Sequence, residues 1–215
     1  MADNIKTAMV WGADGGIGKA LTAHLVAHNW TVAAISRHPD TLSEITPFSF
    51  EADVVNEMAV KNAVTETNYE VGEIALWIYA AGDITAAPAQ TMPFADWQRI
   101  LNANLNGAFL TTHHSLPLLK QDAHLFYLGA VSERLRLPKL AAYAAAKAGL
   151  EAFAESLRKE ERHKRVTVVR PGAVATPFWD KVPLRMPADA ASPEKVAQRL
   201  LQAYTEGHSG HLDLV

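Results

Sequence analysis

Tyr143 and Lys147 are the two residues of this chain whose types and spacing most directly indicate chemistry. They lie four positions apart in an Ala-rich stretch, residues 141–161, which we predict to be a helix, and residues four apart share one helix face. A phenol has a pKa of ~10 and exchanges protons poorly at neutral pH. A fixed ammonium beside it favours the phenolate and lowers that pKa. The pair could therefore pass a proton to or from an oxygen atom, although helices also carry such pairs without any function.

A glycine cluster precedes the first predicted helix. Gly12, Gly16 and Gly18 follow an apolar run at residues 7–11, which we predict to be a buried strand, and residues 17–29 have helical spacing. Glycines let the backbone approach a ligand, and a helix start offers free amides and a positive dipole end to a phosphate. The spacing is Gly-x3-Gly-x-Gly, not the Gly-x-Gly-x2-Gly of many dinucleotide sites. The context predicts a phosphate-binding loop, with a purely structural turn as the alternative.

The end of the second predicted strand, residues 30–36, bears on the choice of cofactor. In dinucleotide-binding folds an acidic residue at this point binds the ribose 2′-hydroxyl, whereas a basic one suits a 2′-phosphate. This chain has Ser36 and Arg37 there and no acid. Because arginine binds phosphate through two parallel hydrogen bonds, NADP(H) is the favoured cofactor and NAD(H) the second candidate. The alternative is that Arg37 is an exposed loop residue.

The remaining predicted elements alternate between strand and helix. The strands span residues 47–53, 73–79, 124–128, 165–170 and 211–215, the last as an edge strand, and the helices span residues 54–67, 94–119, 141–161 and 194–206. This alternation is typical of a mainly parallel sheet flanked by helices. We therefore predict a single doubly wound α/β domain over residues 1–215, with the cofactor at the carboxyl ends of the strands. The Pro-rich residues 173–193 are predicted to be a short substrate loop or lid.

The composition of the chain bears on other functions. Its 215 residues are 49% hydrophobic with a formal net charge of −3, which indicates a globular protein and no nucleic-acid partner. No apolar run reaches the ~20 residues of a membrane span, and no signal peptide is expected, so a cytoplasmic location without membrane contact is the simplest expectation. The absence of cysteine excludes disulfides and thiol catalysis. The pairs His113–His114 and His208–His211 lack a third ligand at recognised spacing, so no metal site is expected.

Together these motifs resemble the short-chain dehydrogenase/reductase family. Six motifs occur in the family's order: the glycine loop, an Asp-Val pair, Ala-Ala-Gly after the fourth strand, a helix asparagine, the Tyr-x3-Lys pair, and Pro-Gly with a following threonine. The resemblance implies a Rossmann-type fold. The cofactor-binding residues that we predict on this basis are Gly12, Asp14, Gly16, Ile17, Gly18, Ser36, Arg37, Asp53, Val54, Ala80, Ala81, Gly82, Tyr143, Lys147, Pro171, Gly172, Val174 and Thr176.

The resemblance also implies catalytic roles. Tyr143 would protonate a carbonyl oxygen while the cofactor delivers hydride, and Lys147 would lower the Tyr143 pKa and hold the nicotinamide ribose. Asn104 would keep a water near Lys147 for proton relay. We therefore predict an NADP(H)-dependent oxidoreductase that interconverts a carbonyl and an alcohol of a small molecule. Family members commonly pair through the helices that correspond to residues 94–119 and 141–161, so a homodimer or homotetramer is expected.

Two positions depart from the family's pattern. Trp11 replaces the usual threonine before the glycine loop, and Ala130 occupies the position of the family's catalytic serine. Alanine cannot donate a hydrogen bond to a substrate carbonyl. Ser132, two residues later, is a candidate replacement, and Tyr127 is another.

The missing serine also motivates a function of another class. A cofactor-binding regulatory or scaffold protein with little turnover would not need that serine, although it would have less need of Tyr143 as well. The short segment at residues 173–193 predicts an open substrate pocket, or one that a second subunit completes. Phe178, Trp179 and Met186 are the predicted apolar lining of that pocket.

Overall fold

A seven-stranded sheet forms the centre of the molecule in the computed structural model, which describes residues 6–131 and 135–214. The strands are β1 (Lys6–Trp11), β2 (Trp30–Ser36), β3 (Ser49–Glu51), β4 (Ile74–Tyr79), β5 (Leu119–Leu128), β6 (Arg165–Pro171) and β7 (Gly210–Leu214). Their order is β3-β2-β1-β4-β5-β6-β7, and all the paired strands are parallel. The predicted parallel α/β fold is therefore confirmed, and β7 is an edge strand as expected.

Helices cover both faces of this sheet. They are α1 (Gly16–Ala27), α2 (Glu57–Glu70), α3 (Phe94–Leu101), α4 (Gly107–Ser115), α5 (Ala141–Glu160) and α6 (Pro193–Thr205). One apolar core joins α1 and α6 to the sheet, and a second joins α2, α4 and α5 to the opposite face. The strand interiors are buried on both sides, which explains their nearly continuous apolar sequences. No helix among the described residues is both long and apolar enough to cross a membrane.

Several predicted boundaries differ from the structure, including those of the helix predicted over residues 54–67, which is α2 (Glu57–Glu70). The helix predicted over residues 94–119 divides into α3, a π-helical segment (Asn102–Asn106), α4 and a 3₁₀ turn (Leu116–Leu118) that contains Pro117. β5 then begins at Leu119 rather than at residue 124, because polar residues 120–122 lie where its register against β4 shifts. β3 covers only Ser49–Glu51 of the predicted residues 47–53.

The strand order reverses beside β1, and this reversal creates a crevice. β1 pairs with β2 on one side and with β4 on the other, so the loops that leave β1 and β4 diverge to opposite faces of the sheet. In open parallel sheets such a switch point, at the carboxyl ends of the strands, is where ligands bind. The fold thus brings the ends of β1, β2, β4, β5 and β6 to one edge.

Candidate active site

A cavity of about 1090 Å³ lies at this carboxyl edge. Its wall includes the glycine loop, the ends of several strands, and the β6–α6 loop, which we define as residues 172–192. The predicted site residues that line it are Gly12, Asp14, Gly16, Ile17, Ser36, Arg37, Asp53, Val54, Ala80, Ala81, Gly82, Tyr143, Lys147, Pro171, Gly172, Val174 and Thr176. Gly18 and Asn104 are buried behind the wall, and Ser132 falls outside the described residues.

The glycines of the glycine loop are required by its close packing against neighbouring residues. Gly12 has a φ of +76°, and a Cβ on it would lie 2.5 Å from the amide nitrogen of Ala81. A Cβ on Gly16 would lie 2.6 Å from Cγ2 of Thr176. Gly18 lets α1 pack closely on the loop, because a Cβ there would overlap the carbonyl of Gly12. No side chain caps the start of α1, so its first amides are available to an anion.

The end of β2 supplies a serine and an arginine to the cavity wall. Ser36 is buried, and its Oγ accepts a hydrogen bond from the His38 amide at 3.2 Å. Arg37 is exposed and forms no ion pair with any of the described residues. After the neighbouring strand β3, Oδ1 of Asp53 accepts from the Val55 amide at 3.2 Å, which stabilises the turn there. The guanidinium of Arg37 is therefore available to an anionic group at this end of the cavity.

Tyr143 and Lys147 lie together on the first turns of α5, and both are buried. Nζ of Lys147 lies 5.6 Å from the centroid of the Tyr143 ring and donates to the carbonyl of Leu128 at 2.8 Å. Burial lowers the pKa of Lys147 to about 8 and raises the pKa of Tyr143 above its ordinary value. Burial therefore acts against the predicted lowering of the Tyr143 pKa. Tyr143 keeps its proton at neutral pH and can act as a donor.

Asn104 lies in the π-helical segment, and such segments occur frequently at functional sites. Its Nδ2 donates to the carbonyl of Asp83 at 2.6 Å and to the carbonyl of Ile100 at 2.8 Å. Its Oδ1 is buried and accepts no hydrogen bond from the described residues. A Cβ on Gly82 would lie 2.8 Å from this Oδ1 and 3.8 Å from Nζ of Lys147. The amide oxygen and the ammonium thus border the same small space beside Gly82.

The two departures from the family's pattern have different consequences. Trp11 is fully buried in the core, and its Nε1 has no hydrogen-bond partner among the described residues. Ala130 lines the cavity, so a methyl group occupies the place where a hydroxyl donor was sought. Tyr127 does not reach the cavity, because it lies in the core and its hydroxyl pairs with Oγ1 of Thr112 at 2.7 Å. Ser132 stays a prediction.

Three charged residues at the cavity were not singled out in the sequence. The carboxylate of Asp83 accepts hydrogen bonds from the guanidinium of Arg99, from Nζ of Lys181 at 2.7 Å, and from the Ile84 amide at 2.9 Å. Burial, together with the charges of Arg99 and Arg37, lowers the pKa of Lys181. Asp83 directly follows the Ala-Ala-Gly motif and could have been found from that position. Arg99 and Lys181 belong to no motif, because only the tertiary structure brings them together.

The apolar lining agrees with the sequence at two of its three predicted residues. Phe178 and Trp179 line the cavity, and the Phe178 ring centroid lies 5.8 Å from that of Tyr143. Nε1 of Trp179 donates to the carbonyl of Val174 at 2.8 Å. Met186 is exposed and does not line the cavity, because it lies on the solvent side of the β6–α6 loop.

The two histidine pairs lie on helix and loop surfaces. The His113 ring stacks on Phe109, and Nε2 of His114 lies 3.3 Å from a carboxylate oxygen of Glu57. Nε2 of His208 lies 2.9 Å from the carbonyl oxygen of His211. Within residues 6–131 and 135–214, no group of three or more His, Cys, Asp or Glu side chains could hold a metal ion.

A switch-point cavity with a glycine loop at one end and a buried Tyr–Lys pair in its wall is the arrangement of a nucleotide-dependent oxidoreductase. The chain belongs to the short-chain dehydrogenase/reductase family: the family model described as short chain dehydrogenase matches residues 6–186. Members of this family are NAD(P)-dependent dehydrogenases and reductases, and this chain is an oxidoreductase of that kind.

Known proteins with different substrates are similar to the chain. It is 33% identical to the 3-oxoacyl-[acyl-carrier-protein] reductase MabA of Mycobacterium avium over 86% of this chain and 73% of that protein. It is 30% identical to a 2-dehydro-3-deoxy-L-rhamnonate dehydrogenase (NAD(+)) of Sphingomonas over 83% of this chain and 76% of that protein. The structure of a 3-ketoacyl-(acyl-carrier-protein) reductase from Brucella melitensis complexed with NADH superposes with a TM-score of 0.87 at 19% identity, over 97% of this chain and 96% of that chain. The last similarity shows the shared fold.

Proposed function

We propose that this protein is an NADP(H)-dependent oxidoreductase that interconverts a carbonyl and an alcohol of a small molecule, with Tyr143 as the proton donor and acceptor. The observation that carries the proposal is the position of Tyr143. Its protonated phenol lines the same cavity as the glycine loop and lies beside the ammonium of Lys147. A proton donor and a dinucleotide site therefore face one shared space.

The residues around the cavity fit a dinucleotide. The uncapped first amides of α1 would bind its phosphates, beside Gly12 and Gly16, which both line the cavity. Ser36 and Arg37 would hold the adenosine end, and Lys147 the ribose beside the nicotinamide. When bound, the reduced nicotinamide supplies the hydride that reduces the carbonyl carbon.

The proton would follow a short route through the residues of this chain. Burial keeps the phenol of Tyr143 protonated, so it can donate to the carbonyl oxygen during reduction. Lys147, whose pKa is about 8, can return a proton to the phenolate near neutral pH. Oδ1 of Asn104 has no hydrogen-bond partner among the described residues and would hold a water beside Nζ of Lys147. That water would connect Lys147 to solvent.

Two features of the β2 end support NADP(H) as the preferred cofactor. Arg37 has no ion-pair partner among the described residues, and no acidic residue follows the strand to bind a free 2′-hydroxyl. The names of the similar proteins include both an NAD(+) enzyme and an NADH complex, so the preference has to rest on Arg37.

The experiment compares NADPH oxidation by the wild type and by Tyr143→Phe with aldehydes, ketones and quinones. Loss of the proton donor should lower kcat by about 10²–10⁴-fold, the range of general acid catalysis, with a much smaller effect on the nucleotide Kd. Tyr69→Phe is the matched control, because Tyr69 is 87% exposed on α2 and lies away from the cavity. Wild-type titrations should also show tighter binding of NADPH than of NADH.

Equal NADPH consumption by the wild type and Tyr143→Phe would contradict catalysis through Tyr143. Nucleotide binding without turnover of any carbonyl would instead support the regulatory or scaffold function that Ala130 suggested.

A further inference from the structure

Lys181, Asp83 and Arg99 form a charged cluster, here called the clasp, that joins the β6–α6 loop to the body of the protein. Lys181 ends the 3₁₀ helix Pro177–Lys181 within that loop, Asp83 follows β4, and Arg99 lies on α3. Nζ of Lys181 donates to Oδ1 of Asp83 at 2.7 Å, and Arg99 donates to the other carboxylate oxygen. Only 16% of the Asp83 side chain is exposed, compared with 51% for Lys181. Asp83 is therefore the fixed partner and Lys181 the one that can leave.

Among the residues that the structure describes, the clasp is the ion pair that attaches the loop's tip to the body of the protein. The base of the loop is closed by a bridge between Val174 and Ala191. Toward the tip, Phe178 and Val182 pack against the apolar cluster that contains Tyr143. Residues 183–189 are all exposed. Several residues of this loop line the cavity, so movement of its tip would change access to the cavity.

Asp83 also contacts the catalytic side of the cavity through its backbone. Its carbonyl accepts the hydrogen bond from Nδ2 of Asn104 at 2.6 Å, and the Asp83 side chain holds its own position through the Ile84 amide. This bond directs Oδ1 of Asn104 toward the space beside Gly82 and Lys147. Asp83 thus binds the β6–α6 loop through its carboxylate and orients the Asn104 amide through its carbonyl.

We propose that Asp83 is a positioning residue that couples closure of the β6–α6 loop to the orientation of Asn104. When Lys181 is bound, the carboxylate and the backbone at residue 83 are held, and Asn104 keeps its geometry beside Lys147. When Lys181 leaves, the carboxylate loses one of its two cations and is held, among the described residues, only by Arg99 and the Ile84 amide, so the turn at residue 83 and the Asn104 amide gain freedom. The effect on catalysis rests on the proposed function, whereas the attachment of the loop does not.

The attachment is tested on the protein alone by hydrogen–deuterium exchange of peptides that cover residues 177–187. Lys181→Met and Asp83→Asn should each speed exchange there by about two- to fivefold, as expected for a partly exposed ion pair. The matched control is Asp96→Asn, because Asp96 accepts from the same Arg99 at 3.1 Å but does not contact the loop. Added salt should speed exchange in the wild type and not in the two clasp variants. Unchanged exchange in Lys181→Met would contradict the attachment of the loop through Lys181.

The coupling is tested by steady-state kinetics of the wild type, Lys181→Met, Asn104→Ala and the double variant. Lys181→Met should raise KM by opening the loop and lower kcat by about two- to fivefold by loosening Asn104. In the Asn104→Ala background the KM effect should persist and the kcat effect should disappear. A kcat effect of equal size in both backgrounds would overturn the coupling, even where the exchange result supports the clasp. Absence of any turnover would instead contradict the proposed function and leave the exchange result intact.

Discussion

The two walls of the cavity are built in different ways. The glycine loop is held by its backbone: the amides of Gly12 and Ala13 donate to the carbonyl of Ile35 at 2.9 and 3.0 Å. It also packs so closely on Ala81 that only glycine fits at position 12. The tip of the β6–α6 loop is held by side chains, chiefly Phe178, Val182 and Lys181.

This difference separates a wall that is fixed from one that can adjust. Backbone hydrogen bonds and close packing hold the glycine loop in place, which suits the constant parts of a dinucleotide. A loop held by a few side-chain contacts opens at small cost in free energy, and ligand-binding loops are commonly of this kind. An adjustable wall agrees with the different substrates named for the similar proteins.

The largest effect is expected from Gly12→Ala, which adds a methyl group to the closely packed glycine loop. The left-handed φ of Gly12 costs alanine about 1–2 kcal/mol, and the overlap with Ala81 adds about 1–3 kcal/mol. Urea unfolding should show both losses, and NADPH titration should show weaker binding. Gly72→Ala is the matched control, because Gly72 has a φ of +85° and a Cβ there would meet nothing within 4 Å. Equal destabilisation by the two variants would show that close packing does not fix the loop.

A smaller effect, of the opposite sign, is expected from Lys147→Met. Because the pKa of Lys147 falls from 10.5 to about 8 on folding, the unfolded chain binds more protons between these values, and wild-type stability rises with pH across that window. Below pH 8 the buried ammonium therefore lowers the free energy of unfolding, by about 1.4 kcal/mol for each unit by which the Lys147 pKa falls. Lys147→Met removes this cost but also removes the donor to the Leu128 carbonyl, which offsets part of the gain. The free energy of unfolding at pH 7 should therefore rise by about 1–3 kcal/mol.

Urea unfolding at pH 7 and at pH 10 measures this change. The gain should shrink at pH 10, where the wild-type lysine is neutral in the folded state, and carbonyl reduction should be lost at both pH values. Lys195→Met on the exposed side of α6 is the control and should change little. A gain of equal size at both pH values would mean that packing, rather than the buried charge, explains it.

The sequence predicts the fixed wall better than the adjustable one. Glycines that backbone geometry requires recur at a recognisable spacing, so the sequence alone indicates Gly12, Gly16 and Gly18. The meeting of Lys181 with Asp83, 98 positions apart, leaves no such pattern, because side chains on different elements meet only in the folded chain. For Tyr143, likewise, the spacing shows a neighbouring lysine but does not show the burial that raises its pKa. The cytoplasmic location and the oligomeric state stay predictions.

The smallest effect is expected from Ala130→Ser, which adds a hydroxyl donor to the cavity wall. Ala130 lines the cavity and is only partly buried, so a hydroxyl added there enters the cavity and not the core. One donor at a developing oxyanion is worth about 10²–10³-fold in rate where it is fully aligned. A serine in an unadapted wall should recover part of this, about tenfold in kcat for carbonyl reduction. Ala130→Val adds similar bulk without a donor and should give no gain. If serine and valine behave alike, the missing hydrogen bond does not limit the rate, and the substrate carbonyl receives its second hydrogen bond from another group.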